Sequence, residues 1–370
     1  MPGCGGAGAV LTIDLGAVAG NYRLLRDRLR GARCAAVVKA NAYGLGLARV
    51  APALARAGCR DFFVATLDEG IALRGLLPDA EIAILNGVHP GCEAEFSNRG
   101  LTPVLNDLGQ IERWAAHALA REENEALDAV IHIDTGMNRL GLPPAEADRL
   151  AAEPERLRGL RLRLVMSHLA CAEERDNPMN AAQRDLFVAH RGRLPAAPAS
   201  FANSSGIFLG PDYHFDVARP GVALYGVNPT PGLPNPMAEV VRLQGKIIQV
   251  RDVDRGQTVG YGAAHRLAAP GRVATVAVGY ADGYLRSLGG RAFAALGGTR
   301  VHVVGRVSMD LITLDFSGLG ADEIRPGAMV DLLGGACPID EVAAWGGTVG
   351  YELLTSLGER HDRRYVGDDT

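Results

Sequence analysis

A lysine closes the apolar run in AAVVKANAYGLG, residues 35–46. The chain holds only two lysines, Lys39 and Lys246, among 38 basic residues, and elsewhere a positive charge is written as arginine. A primary amine with a depressed pKa can hold an aldehyde as a Schiff base, which a guanidinium cannot do. The competing reading is a lysine that snorkels out of a strand end, and the strand alone does not choose between the two. Later apolar runs end in Thr66, Asn86, Asn106, Asp134, His168, then Asn203 with Ser204, then Arg219 with Gly221. Thr66, Asn86 and Asn106 suit ordinary turns. A lysine, a histidine and an arginine at comparable places are harder to dismiss as punctuation.

Such residues need elements that bring them together. Eight short apolar runs, at 34–40, 61–66, 81–86, 102–106, 128–134, 162–168, 200–204 and within 215–226, alternate with amphipathic stretches such as 17–30, 47–58, 107–123 and 180–194. That alternation is the pattern of a parallel β/α barrel, whose active sites lie where the loops after the strands meet. A doubly wound open sheet is the runner-up, but no GxGxxG follows the first strand. Beyond the Pro/Asn/Gly stretch 228–236, β-rich segments dominate. The expected architecture is therefore α/β: a parallel (β/α)8 barrel over 13–232 followed by a mostly β C-terminal domain over 233–370. Residues 1–12 are expected as a strand associated with that domain.

Composition removes several function classes. A net charge of -4 with mixed signs speaks against a nucleic-acid or anionic-membrane partner. The N-terminus has neither a basic leader nor a long apolar run, so no signal peptide or membrane span is expected. Cys4, Cys34, Cys59, Cys92, Cys171 and Cys337 show no CxxC or metal spacing. They read as reduced thiols of a cytoplasmic protein, and no metal site is expected.

The stretch VVKANAYGLG (37–46) resembles the lysine motif of the alanine racemases, barrel enzymes that use pyridoxal 5′-phosphate. HIDTGMNRLG (132–141), MSHLA (166–170), ANSSG (202–206), RPGVALYG (219–226), VGYG (259–262), VGYADGY (278–284), GRVSMD (305–310) and Tyr351-Glu352 follow in that family's order. The resemblance implies that Lys39 binds the cofactor aldehyde and serves as base on one face of the substrate. Tyr261 would be the acid/base on the other face, reached across a homodimer interface. Arg219 would face the pyridine nitrogen and keep it unprotonated, because a guanidinium can only donate. His168 would link Arg219 to Tyr261. Tyr43, Asn203, Ser204, Tyr351 and the backbone of Gly221 and Val222 would surround the phosphate end. Arg139 and the backbone of Met309 would take the substrate carboxylate, with Asp310 orienting that region. Tyr280 and Tyr284 would line the approach.

The sequence departs from the family pattern in places. His132 stands where many members carry a carbamylated lysine, and the expectation is a neutral imidazole with an anion nearby. Ser308, Leu45 and Asn138 replace a frequent cysteine, histidine and glycine. Three other classes compete: a two-domain amino-acid decarboxylase, a non-catalytic carrier of the cofactor, and a sugar-phosphate barrel enzyme. A decarboxylase would place a carboxylate where Arg219 stands, a carrier would lack the second domain, and a sugar-phosphate enzyme would leave VGYG and SMD without a role. The expected activity is interconversion of L- and D-alanine by two bases, for peptidoglycan or for alanine catabolism.

Overall fold

The computed structural model describes residues 8–121, 125–318 and 324–367. They fall into two compact units, one of residues 18–238 and one joining the residues up to 17 with those from 239 onward. The sequence places these boundaries at 13 and 232. Cys4 and the first seven residues of the strand expected over 1–12 lie outside the described residues, while Ala9–Asp14 form β1.

The first unit is a ring of parallel strands. These are β2 (Arg33–Cys34), β3 (Ala36–Val37), β4 (Asp61–Val64), β5 (Glu81–Ile84), β6 (Thr102–Leu105), β7 (Leu127–His132), β8 (Leu160–Met166), β9 (Ala199–Ser200) and β10 (Val217–Ala218). Their order is β2-β10-β9-β8-β7-β6-β5-β4-β3. β2 and β3 are two pieces of one strand broken at Ala35; the first pairs with β10 and the second with β4, so the broken strand closes an eight-stranded barrel. Short runs such as Phe62-Phe63-Val64 and Ile82-Ala83-Ile84 are apolar throughout because a barrel wall is covered on both faces.

The helices between them bury residues at three- and four-residue spacing. Helix Leu108–Ala120 turns Leu108, Ile111, Trp114, Ala115 and Ala118 inward, and Asp107 caps it by accepting the Gln110 N–H at 2.7 Å. The N-terminal mouth of the barrel is rimmed by ion pairs, Arg33–Asp61 at 2.7 Å and Arg163–Glu81 at 3.3 Å. Chemistry is thereby left to the opposite rim. The strands expected over 34–40, 200–204 and 215–226 are shorter than their apolar runs. Single ladder-like bonds persist past them, such as Val38 N–H to Phe63 O and Arg219 N–H to Ala202 O, both 2.9 Å, before the backbone turns into the rim.

The second unit is mostly antiparallel. It contains β11 (Val241–Val253), β12 (Thr258–Val259), β13 (His265–Arg266), β14 (Gly271–Val276), β15 (Phe293–Leu296), β16 (Thr299–Val304), β17 (Ile312–Asp315), β18 (Met329–Leu333) and β19 (Asp362–Val366). The main sheet runs β14-β17-β16-β15-β18-β11-β1-β19, and β11 also pairs with β14. β11 achieves this through its 13-residue length and a register shift between Ile247 and Gln249. Among the described residues, no helix is long and apolar enough to cross a membrane.

Candidate active site

Lys39 does not end a strand. It opens a turn in which Ala40, Asn41 and Ala42 all lie near φ 54° and ψ 50°, followed by Tyr43 at φ 54°. This is a left-handed helical turn, costing roughly 1–2 kcal/mol per L-residue, so the sequence must supply restraints. Asn41 Oδ1 accepts the Leu47 N–H at 2.7 Å, and Gly44 closes the turn at φ 81°. Glu69 accepts the Ala40 N–H at 2.6 Å. Tyr43 packs against Tyr225 with ring centroids 4.6 Å apart and the planes tilted by 30°. Lys39 is half-buried, and its pKa is lowered first by burial and then by Arg139, with Glu69 opposing. That is the condition for a nucleophilic amine.

Arg219 is buried at 3% exposure. It donates from Nη1 to Ser200 Oγ and from Nη2 to Ser167 O at 2.7 Å, and Nη2 lies 3.3 Å from His168 Nδ1. A guanidinium has no lone pair to offer, so His168 Nδ1 is the acceptor and the proton of the neutral ring sits on Nε2. Burial pulls the Arg219 pKa down to about 9, which leaves it charged at neutral pH, and no carboxylate among the described residues pairs with it. Burial, then Arg219 and Arg139, push His168 well below its ordinary value.

His132 is also neutral. Burial first, then Arg219, lower its pKa to about 3. Its Nδ1 lies 2.8 Å from Asn106 Oδ1, while the Asn106 amide donates to Leu85 O at 3.0 Å and Val104 O at 2.8 Å. The amide orientation is thereby fixed, Nδ1 carries the hydrogen, and only Nε2 remains as an acceptor. Among the described residues no hydrogen bond joins His132 to Arg139. Two histidines held neutral make a pH prediction. Between a folded pKa near 3 and the ordinary 6.5 the unfolded chain binds more protons, so stability is complete above about pH 6.5 and falls as pH drops. His168, also lowered by burial, acts in the same direction. His132→Gln should flatten the fall in melting temperature between pH 6 and 4.

Arg139 sits on a turn built by Asp134. One carboxylate oxygen accepts the N–H groups of Gly136 at 2.9 Å and Met137 at 3.0 Å, and both oxygens contact that of Asn138. Asn138 has φ 55°, a conformation asparagine tolerates and glycine favours, which accounts for the kind of replacement seen there. Arg139 is exposed and has no ion-pair partner among the described residues, leaving its fork available to a carboxylate. Ser204 Oγ accepts the N–H groups of Gly221 at 2.9 Å and Ala223 at 3.2 Å. A Cβ on Gly221 would come within 2.3 Å of the Tyr43 hydroxyl, so glycine is required there. Val222 opens the following short helical turn, Val222–Tyr225. Asn203 turns inward on its own loop, its Oδ1 accepting the Gly206 N–H at 2.8 Å.

The second unit carries the other expected residues. Tyr261 caps the β12–β13 hairpin between Gly260 at φ 75° and Gly262 at φ 70°, and it is 71% exposed. Met309, 54% exposed, precedes Asp310, whose carboxylate pairs with Arg360 at 2.8 Å. Arg360 also pairs at 2.8 Å with buried Asp282, which accepts the Gly279 N–H at 2.9 Å. The GYADGY and SMD loops are further joined by Tyr280 N–H to Ser308 O and Ala281 N–H to Met309 O, both 3.0 Å. Asp310 is thus an ion-pair partner of Arg360. Tyr351 lies in the first turn of helix Gly350–Ser356. Tyr280 is exposed, as expected of an approach residue, but Tyr284 is buried in its own unit.

The barrel rim fits a phosphorylated pyridine aldehyde. It offers one half-buried amine, a buried guanidinium that lacks an anionic partner, and a hydroxyl-and-amide cradle closed by glycine. The comparisons agree. Residues 13–229 match the family model "Alanine racemase, N-terminal domain", and 240–365 match "Alanine racemase, C-terminal domain". The chain belongs to the alanine racemase family. An alanine racemase of Rhodospirillum rubrum is 56% identical over 98% of this chain and 96% of its own. A catabolic alanine racemase of Mesorhizobium japonicum is 51% identical over 98% and 94%. Among solved structures, the alanine racemase of Bartonella henselae with covalently bound pyridoxal phosphate superposes with a TM-score of 0.94 at 39% identity, covering 97% of this chain and 100% of that one.

Within this alanine racemase framework, sequence reading missed three residues that hold the rim, Glu69, Ser200 and Asn106 as the partner of His132, and in the second unit it missed Arg360, which joins Asp310 to Asp282. Only Glu69 left a signal, the Thr66-x-x-Glu69 spacing of a capping box. Of the departures, Leu45 is fully buried as core and Ser308 contributes its carbonyl to the loop pairing.

Proposed function

We propose that this protein is a pyridoxal 5′-phosphate-dependent racemase that interconverts L- and D-alanine with two bases on opposite faces of the substrate. The observation that carries the reading is the buried Arg219 cation without a carboxylate partner, on the same strand-end rim of the barrel as a half-buried lysine. A decarboxylase-type site would place an acid at that position. When bound, the cofactor supplies a sink for the negative charge left on the substrate α-carbon. Lys39 Nζ is its attachment point and then one base. Arg219 donates to the ring nitrogen and keeps a proton off it, so the sink is modest and side reactions are limited. Ser204, Tyr43 and the backbone at Gly221 and Val222 hold the phosphate end, and Arg139 orients the substrate carboxylate.

Tyr261 is the second base, presented by a second copy of the chain. Its exposure supports this, since a proton-transfer group must be shielded from water to act. The Nε2–H of His168 is free to donate to the phenol oxygen. The working form is thus a homodimer with shared sites. A reducing, cytoplasmic setting belongs to the same reading, supported by five free cysteines among the described residues. The reversible reaction serves either D-alanine supply for peptidoglycan or alanine breakdown.

Saturating the protein with pyridoxal 5′-phosphate, reducing with borohydride and mapping peptides should place the label on Lys39. A label elsewhere, or none, would refute the reading. Mixing inactive Lys39→Ala and Tyr261→Phe proteins under exchange conditions should restore about a quarter of wild-type activity. Half the dimers become mixed, and one of their two sites is intact. No recovery in mixtures shown to contain mixed dimers would place Tyr261 in its own chain's site.

A further inference from the structure

We propose that Glu69 is a positioning residue for Lys39, its carboxylate tying the first peptide of the left-handed turn to the neighbouring strand end and so setting where the amine points. This rests on the reading that Lys39 carries the cofactor. Glu69 is the third residue of helix Leu67–Leu76, and with Thr66 it forms a capping box. Such a glutamate ordinarily returns only to the backbone N–H of its own N-cap. Here one oxygen, Oε2, accepts the N–H groups of Ala65 at 2.8 Å and Thr66 at 3.3 Å. The other, Oε1, crosses to the Ala40 N–H at 2.6 Å, belonging to a segment 29 residues earlier.

That amide finds its acceptor outside the turn. Within the turn, Ala42 N–H bonds Val38 O at 2.9 Å and Gly44 N–H bonds Ala40 O at 2.7 Å. The Ala40 N–H precedes those rings. Asn41 fastens the far end of the turn through Leu47, and Glu69 fastens the near end, one peptide from Lys39. A backbone conformation that L-residues avoid persists only where its surroundings over-determine it. The negative charge also opposes the effect of burial and Arg139 on the amine.

The experiment compares Glu69→Ala and Glu69→Gln with Thr66→Ala, which removes the hydroxyl half of the capping box and leaves the carboxylate in place. Three quantities are read: melting temperature, kcat and KM for alanine, and the pH midpoint at which pyridoxal 5′-phosphate with borohydride labels Lys39. Glu69→Ala should lower kcat about 10–100-fold with KM changed less than about 3-fold, the cost of misplacing a reacting group. Its labelling midpoint should move to lower pH, because a charge that favours the protonated amine is gone. Glu69→Gln keeps one acceptor oxygen without the charge, so it should share the midpoint shift with a smaller loss of kcat. Thr66→Ala should melt earlier with kcat and midpoint unchanged. If the two alanine variants behave alike, or if midpoint and kcat are unmoved in the Glu69 variants, the carboxylate is only a helix cap and the proposal falls. Should Glu69→Ala not fold, Glu69→Gln decides. Failure to label Lys39 in the wild type would overturn the parent reading instead.

Discussion

In deuterated water, Tyr261→Phe should lose α-proton exchange from L-alanine while retaining part of the exchange from D-alanine, and Lys39→Ala should lose both. Each positioned proton-transfer group is worth about 10²–10⁴-fold, or ~3–5 kcal/mol. The asymmetry arises because the two groups serve different faces. Removing the phenol oxygen leaves the amine able to take the proton from one enantiomer, although turnover to the other is lost. Removing the amine takes away both a base and the attachment point of the cofactor. The measurement is proton NMR of the alanine α-position with each enantiomer in turn. Equal, mild losses in the two variants would end the two-base assignment.

The second large effect concerns Arg219. Arg219→Glu should lower kcat by about 10²–10³-fold, the scale for deleting a pre-organised electrostatic contact in a water-poor site. A glutamate there would lie in the surroundings that pull the arginine down to about 9, and the same burial would push a carboxyl up. It would then offer a proton where arginine offers only a donor that keeps its own. A ring that gains that proton stabilises negative charge more strongly and for longer, so pyruvate from misdirected turnover should rise as racemisation falls. Coupled assays for pyruvate and for the opposite enantiomer check both arms. A variant that loses racemisation without any rise in pyruvate would show that Arg219 only anchors.

Much of this was legible in the sequence, for reasons that differ between residues. The barrel was readable because its strands are continuously apolar and its helices periodic, and both patterns follow from burial. Lys39 stood out through scarcity of its type, and Arg219 and His168 through their places at run ends. The left-handed turn was not legible. Ala-Asn-Ala-Tyr has no glycine until Gly44, and nothing in its composition announces positive φ. Restraints from a distant residue, Glu69, join the local Asn41–Leu47 bond in holding it. Likewise His132 and Asn106 meet across neighbouring strands, a contact set by register that single-sequence periodicity does not reveal. Asp310 was placed near the site, but its partner Arg360 lies 50 residues further along, beyond any local signal.

The interrupted first strand carries a consequence for biogenesis. Cys34 meets Ala218 on one side of the break, and Ala36 meets Phe62 on the other. The stave that leads into Lys39 is therefore also the seam, and it cannot be sealed until the last stave has left the ribosome. A nascent chain halted before that point should expose an open sheet edge to chaperones and fail to retain the vitamin, however complete its N-terminal half.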